Sequence, residues 1–178
     1  MISVSEARAI MLEHVASLGK EDAPLGDALG RTLAEPIVAR RAQPTFRASA
    51  MDGYAVRAAD TPGVLRLVGE AGAGHALARA LQRGECARIF TGAPVPEGAD
   101  AVLIQEDAQH AGDADAAPRV EVDRHVRAAG ADFTEGAVLI PASTELSGPA
   151  IALAAAAGQA ELAVMRQPRI AVLGGGDE

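Results

Sequence analysis

A chain of 178 residues in which 49% are hydrophobic can bury a packed core, which excludes a disordered tail or linker. Aromatic residues make up only 2%, with no tryptophan, so that core must be built from Ala, Val, Leu and Ile. A net charge of -8 argues against non-specific binding to nucleic acid, which requires a surplus of Lys and Arg. The first predicted element is a helix of about four turns. Ser3 and Glu6 have capping-box spacing, Val4, Ala7, Ile10, Met11, Val15 and Leu18 form one apolar stripe, and Gly19 is placed to stop it. His14 lies at the edge of the stripe and is read as a packed side chain. Leu25 to Leu33 reads as a helical turn and Pro36 to Ala39 as the start of a strand.

From Met51 onward the apolar runs become short and β-like. They are Tyr54 to Val56, Val64 to Val68, Cys86 to Phe90, Ala101 to Ile104 and Val120 to Val122, separated by Gly, Pro and Asp clusters. The small polar stretch from Gln109 to Pro118 is read as a loop tip with His110 solvated. Ser147-Gly148-Pro149 is a serine cap with proline in the first turn, predicting a helix to Gly158, and Glu161 to Met165 reads as a strand. Arg169 to Leu173 has the continuous apolarity of a strand buried on both faces. It enters Gly174-Gly175-Gly176-Asp177-Glu178, and is predicted to be the first strand of an α/β domain that the chain does not contain. Cys86 is the only cysteine, which excludes an intrachain disulfide and a cysteine-cluster metal site. It reads as a small buried residue. No stretch is long enough to span a bilayer and no targeting segment is visible, so a soluble cytoplasmic protein is expected.

Two short segments stand out chemically. Asp52-Gly53 is a turn dipeptide whose carboxylate, taken alone, is better read as structural. Thr91-Gly92, followed by Pro94 and Pro96, suggests an abrupt turn with exposed N–H groups, which either holds an oxyanion or connects two strands. These residues alone leave both readings open.

The strings SAMDGYAVR (Ser49 to Arg57) and RIFTGAPVPEGADAV (Arg88 to Val102), with the terminal Gly176-Asp177-Glu178, resemble the molybdopterin molybdenumtransferase (MoeA) family, which includes the E domain of gephyrin. The resemblance runs along the whole chain and covers only the N-terminal portion of such an enzyme. It implies an α+β fold with several parts. Residues 1–19 form a helix packed on a pterin-binding domain, 20–38 with 137–167 a linker and dimerisation domain, 39–136 an inserted β-rich domain, and 168–178 the first strand of the truncated pterin-binding domain.

It further implies insertion of molybdenum from molybdate into adenylylated molybdopterin with release of AMP, aided by Mg2+. A homodimer is implied, and a molybdopterin adenylyltransferase as a possible partner. Carried over residue by residue, Asp52, Thr91 and Glu178 are the catalytic candidates, Gly92, Arg127 and Asp132 the substrate-binding ones, and Asp52 and Glu178 the metal ligands. The chain departs from the family pattern at Ala131, where a Glu is usual, and at Gly174-Gly175, where Ser-Thr is usual, so one carboxylate and two hydroxyls are missing. A chain inactive by itself is expected; the alternative is a stand-alone, non-catalytic module for dimerisation or for binding molybdate or pterin.

Overall fold

A computed structural model describes the chain except Met1, His14, Gly112, Asp113, Leu173 and residues 175–178, and except the side chains of 110, 111 and 114–116. The expectations for His14, for the His110 side chain and for the terminal Gly-Asp-Glu lie outside the described residues. The fold is α+β, in two compact units: one formed by Met1–Arg40 with Ala137–Glu178, the other by Arg41–Gly136.

In the first unit, α1 spans Val4–Glu13. Its capping box is formed: the Glu6 amide donates to Ser3 Oγ at 3.2 Å, and the Ser3 amide to Glu6 Oε2 at 2.9 Å. The helix is shorter than the stripe predicted, and Val15 to Gly19 are not helical. None of its residues is buried. Without tertiary packing a helix of this length is marginal, and nothing offsets the entropy of extending it. Strand β1 (Lys20–Pro24) pairs antiparallel with the C-terminal Glu161–Met165, while β2 (Ile37–Val38) pairs with Val138–Ile140. The second helix, Gly148–Ala156, starts at Ser147, whose side chain accepts from the Ala150 amide, with proline in its first turn. Ala154 of this helix and Ala157, which caps it, are fully buried, and Leu33, Ile37, Leu146, Leu162 and Val164 of the same unit are buried as well. The run predicted as a buried strand from Arg169 is not one: the described residues 168–172 carry no strand, and Ile170 and Val172 are 80% and 89% exposed. An apolar run becomes a strand only when a neighbour satisfies its N–H and C=O groups, and no described segment pairs with this one.

The second unit is built on a six-stranded sheet. Besides β3 (Ala48–Ser49), its strands are β4 (Gly53–Val56), β5 (Gly63–Ala71), β6 (Glu85–Ile89), β7 (Ala101–Ile104), β8 (Gln109–Ala111), β9 (Ala114–Ala117) and β10 (Val126–Arg127). The order across the sheet is β7-β4-β6-β5-β9-β8, with only β5 and β6 parallel, and β3 pairs separately with β10. Both faces are covered. Tyr54, Val56, Leu65, Cys86, Ala101 and Leu103 form one core cluster. Ala55, Ala71, Leu81, Ala87, Ile89 and Val102 form another. Burial on both sides is why β4 and β7 read as unbroken apolar runs rather than alternating ones, whereas β6 also carries the charged Glu85 and Arg88.

Two expectations are corrected here. Within the stretch 109–118, β8 and β9 pair antiparallel, and β9 completes the ladder of β5 from Gly63↔Ala117 to Arg66↔Ala114. Val120 to Val122 is not a strand. The Val120 amide donates to the Thr61 hydroxyl at 3.0 Å, and the chain then turns through Asp123 and His125 in the left-handed region. A side-chain acceptor has displaced the sheet ladder there.

Among the described residues of this unit, Glu85 is the buried charged group. Glu85 accepts from Arg79 Nη1 at 2.7 Å and from the Gln82 amide at 3.0 Å, and also pairs with Arg66. The Arg79 hydrogen bond first, and then the Gln82 amide, lower its pKa to about 2 from an ordinary 4.5. A carboxylate depressed by folding stabilises the native state above its unfolded pKa, and that contribution is lost as pH falls through the folded value. The urea midpoint of the chain is therefore expected to fall between about pH 4.5 and 2. Glu85→Gln should lower the midpoint at neutral pH, and its deficit relative to the parent should shrink towards pH 2. A constant deficit across that range would show that the Glu85 charge contributes nothing.

Candidate functional site

Asp52 ends the loop leading into β4, and Thr91 lies just past the end of β6. These strands are antiparallel neighbours with Gly53 opposite Ile89, so the register brings the two loops together at one end of the sheet. Asp52 Oδ1 accepts two hydrogen bonds from Thr91, one from its amide and one from its hydroxyl, each 2.8 Å. Donation to the ionised carboxyl favours the charged form. The Thr91 amide is the largest cause, then its hydroxyl, then the nearby Arg88 guanidinium, and together they hold the Asp52 pKa below the usual carboxylate range. Asp52 therefore keeps its charge to lower pH than an ordinary carboxylate does. Both residues are exposed, and among the described residues none donates to the other carboxylate oxygen, Oδ2.

The expectation of free N–H groups at the Thr91 turn is corrected. The Thr91 amide is given to Asp52, the Gly92 amide to the Ser49 carbonyl at 2.8 Å, and the Ala93 amide to the Phe90 carbonyl at 2.9 Å. The turn is saturated internally, so it is not by itself an anion cradle. Gly92 is needed for conformation, with φ at 81°, a region costly for side chains. Ser49 is buried, and its hydroxyl donates to the Met51 carbonyl at 2.6 Å, bracing the approach to Asp52.

A cavity of about 390 Å3 opens here, lined by Pro44, Phe46, Ser49, Thr91, Gly92 and Arg127 among others. Its size suits a small-molecule ligand. Arg127 reaches it because β10 pairs with β3, placing Arg127 opposite Ala48. Its Nη2 donates to Asp132 Oδ1 at 2.7 Å, with the two side chains 52% and 48% exposed. An ion pair so exposed is weak, and a guanidinium held that loosely can exchange its carboxylate for a ligand anion. Of the residues singled out from the sequence, then, Thr91, Gly92 and Arg127 line one cavity. Asp52 is bonded to Thr91 and Asp132 to Arg127, while Glu178 lies outside the described residues. Among the described residues there is no cluster of three His, Cys, Asp or Glu side chains able to enclose a metal ion. Ser49, Arg88 and Gln105 had no role assigned from the sequence, although Ser49 and Arg88 open the two distinctive strings.

The class defined by this architecture is an α+β protein whose β-rich unit carries an ordered carboxylate and a guanidinium beside one cavity. Residues 2–158 match the model of the MoeA N-terminal region, domains I and II, and the chain belongs to that family. It is 36% identical to a molybdopterin molybdenumtransferase of Nostoc sp., aligning over 100% of this chain and 44% of that protein. It is 35% identical to molybdopterin molybdenumtransferase 2 of Mycobacterium tuberculosis, over 100% of this chain and 46% of that one. A crystal structure of the molybdopterin biosynthesis MoeA protein from Pyrococcus horikoshii superposes with a TM-score of 0.84 at 31% identity, covering 94% of this chain and 45% of the other. The chain thus spans somewhat less than half the length of these relatives.

Proposed function

We propose that the chain serves molybdenum cofactor biosynthesis as the N-terminal part of a molybdopterin molybdenumtransferase, contributing one wall of the site where molybdate and adenylylated molybdopterin react. The observation carrying this reading is the Asp52 carboxylate, fixed by two Thr91 donors beside the cavity that Arg127 lines. Arg127 leaves Asp132 to pair with phosphate or molybdate oxygens, which a planar guanidinium meets in bidentate fashion. Asp52 acts through its open oxygen, and Thr91 is the positioning residue that keeps that oxygen turned outward and charged. Mg2+ suits this donor set, because it is commonly held by one or two carboxylates together with substrate phosphates rather than by an all-protein cage. When bound at Asp52 it would neutralise charge on the phosphoanhydride. In that reaction water would bond to the pterin-side phosphorus and the bridging P–O bond would break, so that AMP leaves with a proton passing to solvent. The two molybdopterin sulfurs would replace one oxide of molybdate, which departs with their protons as water. The complete enzyme is a soluble cytoplasmic homodimer supplied by an adenylyltransferase, and its remaining domain closes the cavity and covers α1.

The test compares the 178-residue chain with a complete transferase carrying it as N-terminal portion. Calorimetric titration with adenylylated molybdopterin, Mg2+ and molybdate should give no tight binding to the chain alone, and molybdenum insertion only in the complete enzyme. Turnover by the chain alone would overturn the half-site reading, and no insertion by the complete enzyme would overturn the function itself. One feature favours a second reading, a non-catalytic association or binding module: α1 leaves Ile10 and Met11 50% and 68% exposed. Dimerisation of the chain by light scattering, with the complete enzyme inert, would select it.

A further inference from the structure

Arg88 sits on β6 directly opposite Tyr54 of β4, and Phe90 is two residues further along the chain from it. Cross-strand partners, and residues two apart, share a sheet face. The Arg88 guanidinium accordingly lies 5.1 Å from the centroids of both the Tyr54 and Phe90 rings. Stacking on two rings fixes its plane, and its two terminal nitrogens then reach in different directions. Nη1 donates to the Gly53 carbonyl at 3.4 Å, and Nη2 to Gln105 Oε1 at 2.6 Å. The Gln105 amide in turn donates to the Asp52 carbonyl at 3.2 Å.

Each contact falls on a neighbour of the site. Gly53 and Tyr54 follow Asp52, Phe90 precedes Thr91, and Gln105 holds the Asp52 main chain. We infer that Arg88 is the positioning residue of the Asp52–Thr91 pair, a clamp joining the ends of β4 and β6 with Gln105 so that the carboxylate meets both Thr91 donors. The assignment of a role in catalysis rests on the transferase reading above; the clamp itself does not. Arg88 is not among the residues lining the cavity, so it acts through Asp52 and not on substrate. A lysine cannot replace it, since an ammonium has neither the stacking plane nor the fork.

Site-resolved hydrogen exchange on the 178-residue chain tests the clamp without any substrate. In Arg88→Gln and in Arg88→Lys, the Thr91 and Gln105 amides should exchange about tenfold faster, as expected for a local opening. The Arg66 amide, bonded to the Gly84 carbonyl elsewhere in the unit, should keep its protection. In the complete transferase both variants should lower kcat with little change in KM, because ground-state binding is untouched. Unchanged Thr91 and Gln105 exchange would overturn the inference. So would equal acceleration of all amides, the mark of general destabilisation, or full rescue by lysine. If exchange responds as expected and the parent enzyme inserts no molybdenum, the functional reading fails and the clamp stands.

Discussion

Asparagine in place of Asp52 is expected to leave the fold intact and to reduce molybdenum insertion by the complete transferase on the order of 100-fold or more, the scale of a group acting on the reacting centre. The asparagine carbonyl can accept the same two bonds from Thr91 that Asp52 Oδ1 accepts, so the loop keeps its shape and the thermal midpoint should stay near that of the parent. What disappears is the negative charge and the second acceptor oxygen, the two properties assigned to function. A companion variant separates charge from position. Thr91→Val removes the hydroxyl donor and keeps the amide, so the Asp52 pKa should rise towards the ordinary carboxylate value. The carboxylate then protonates earlier as pH falls, and activity on the acid side should be lost at a higher pH than in the parent. Full insertion activity in Asp52→Asn would remove Asp52 from the mechanism.

Alanine in place of Gly53 is expected to damage the fold of the β-rich unit directly. A Cβ there would stand 1.9 Å from the Leu103 carbonyl oxygen and 2.9 Å from its carbon. Both obstacles are main chain of β7, which cannot rotate aside as a flexible side chain does. Gly53 is also paired on both sides, to Ile89 of β6 and to Ile104 of β7. To accept the methyl group, β4 must move away from β7 and press on β6. Overpacking that a backbone must absorb costs about 3 kcal/mol or more, measurable as a lower urea midpoint. Gly148→Ala is the control, because a Cβ at Gly148 meets nothing within 4 Å. Since Asp52 is the next residue, the same shift should also weaken Thr91 amide protection. A Gly53→Ala chain as stable as the parent would contradict the β4–β7 register.

The two stretches of chemistry were visible in the sequence as unusual strings, but their relation to each other was not. Asp52 and Thr91 are 39 residues apart, and only the antiparallel register of β4 and β6 turns them into a hydrogen-bonded pair. Arg127 comes to the cavity through another long-range pairing, of β10 with β3. The place of Arg88 between Tyr54 and Phe90 is not legible in the sequence, because it depends on which residue lies opposite it across the sheet. The expectation for the Thr91 turn went wrong for a related reason. Whether an N–H group is free depends on every acceptor that folding brings near it, and Ser49, Phe90 and Asp52 supply those acceptors.

Local chemistry settled the features whose energetics stay within a few residues: the Ser3–Glu6 capping box, the Ser147 cap, and the apolar runs of β4 and β7. Where stability comes from a distant partner, the pattern by itself was insufficient. The stripe after Glu13 and the apolar run from Arg169 have the patterns of a helix and a strand, yet the described residues of both stay exposed, and no described strand pairs with the second. Conversely, the polar stretch 109–118 holds two paired strands because β5 offered an open edge to β9. Backbone hydrogen bonds and burial are gained only against a surface, and which surface is present is decided by the tertiary fold.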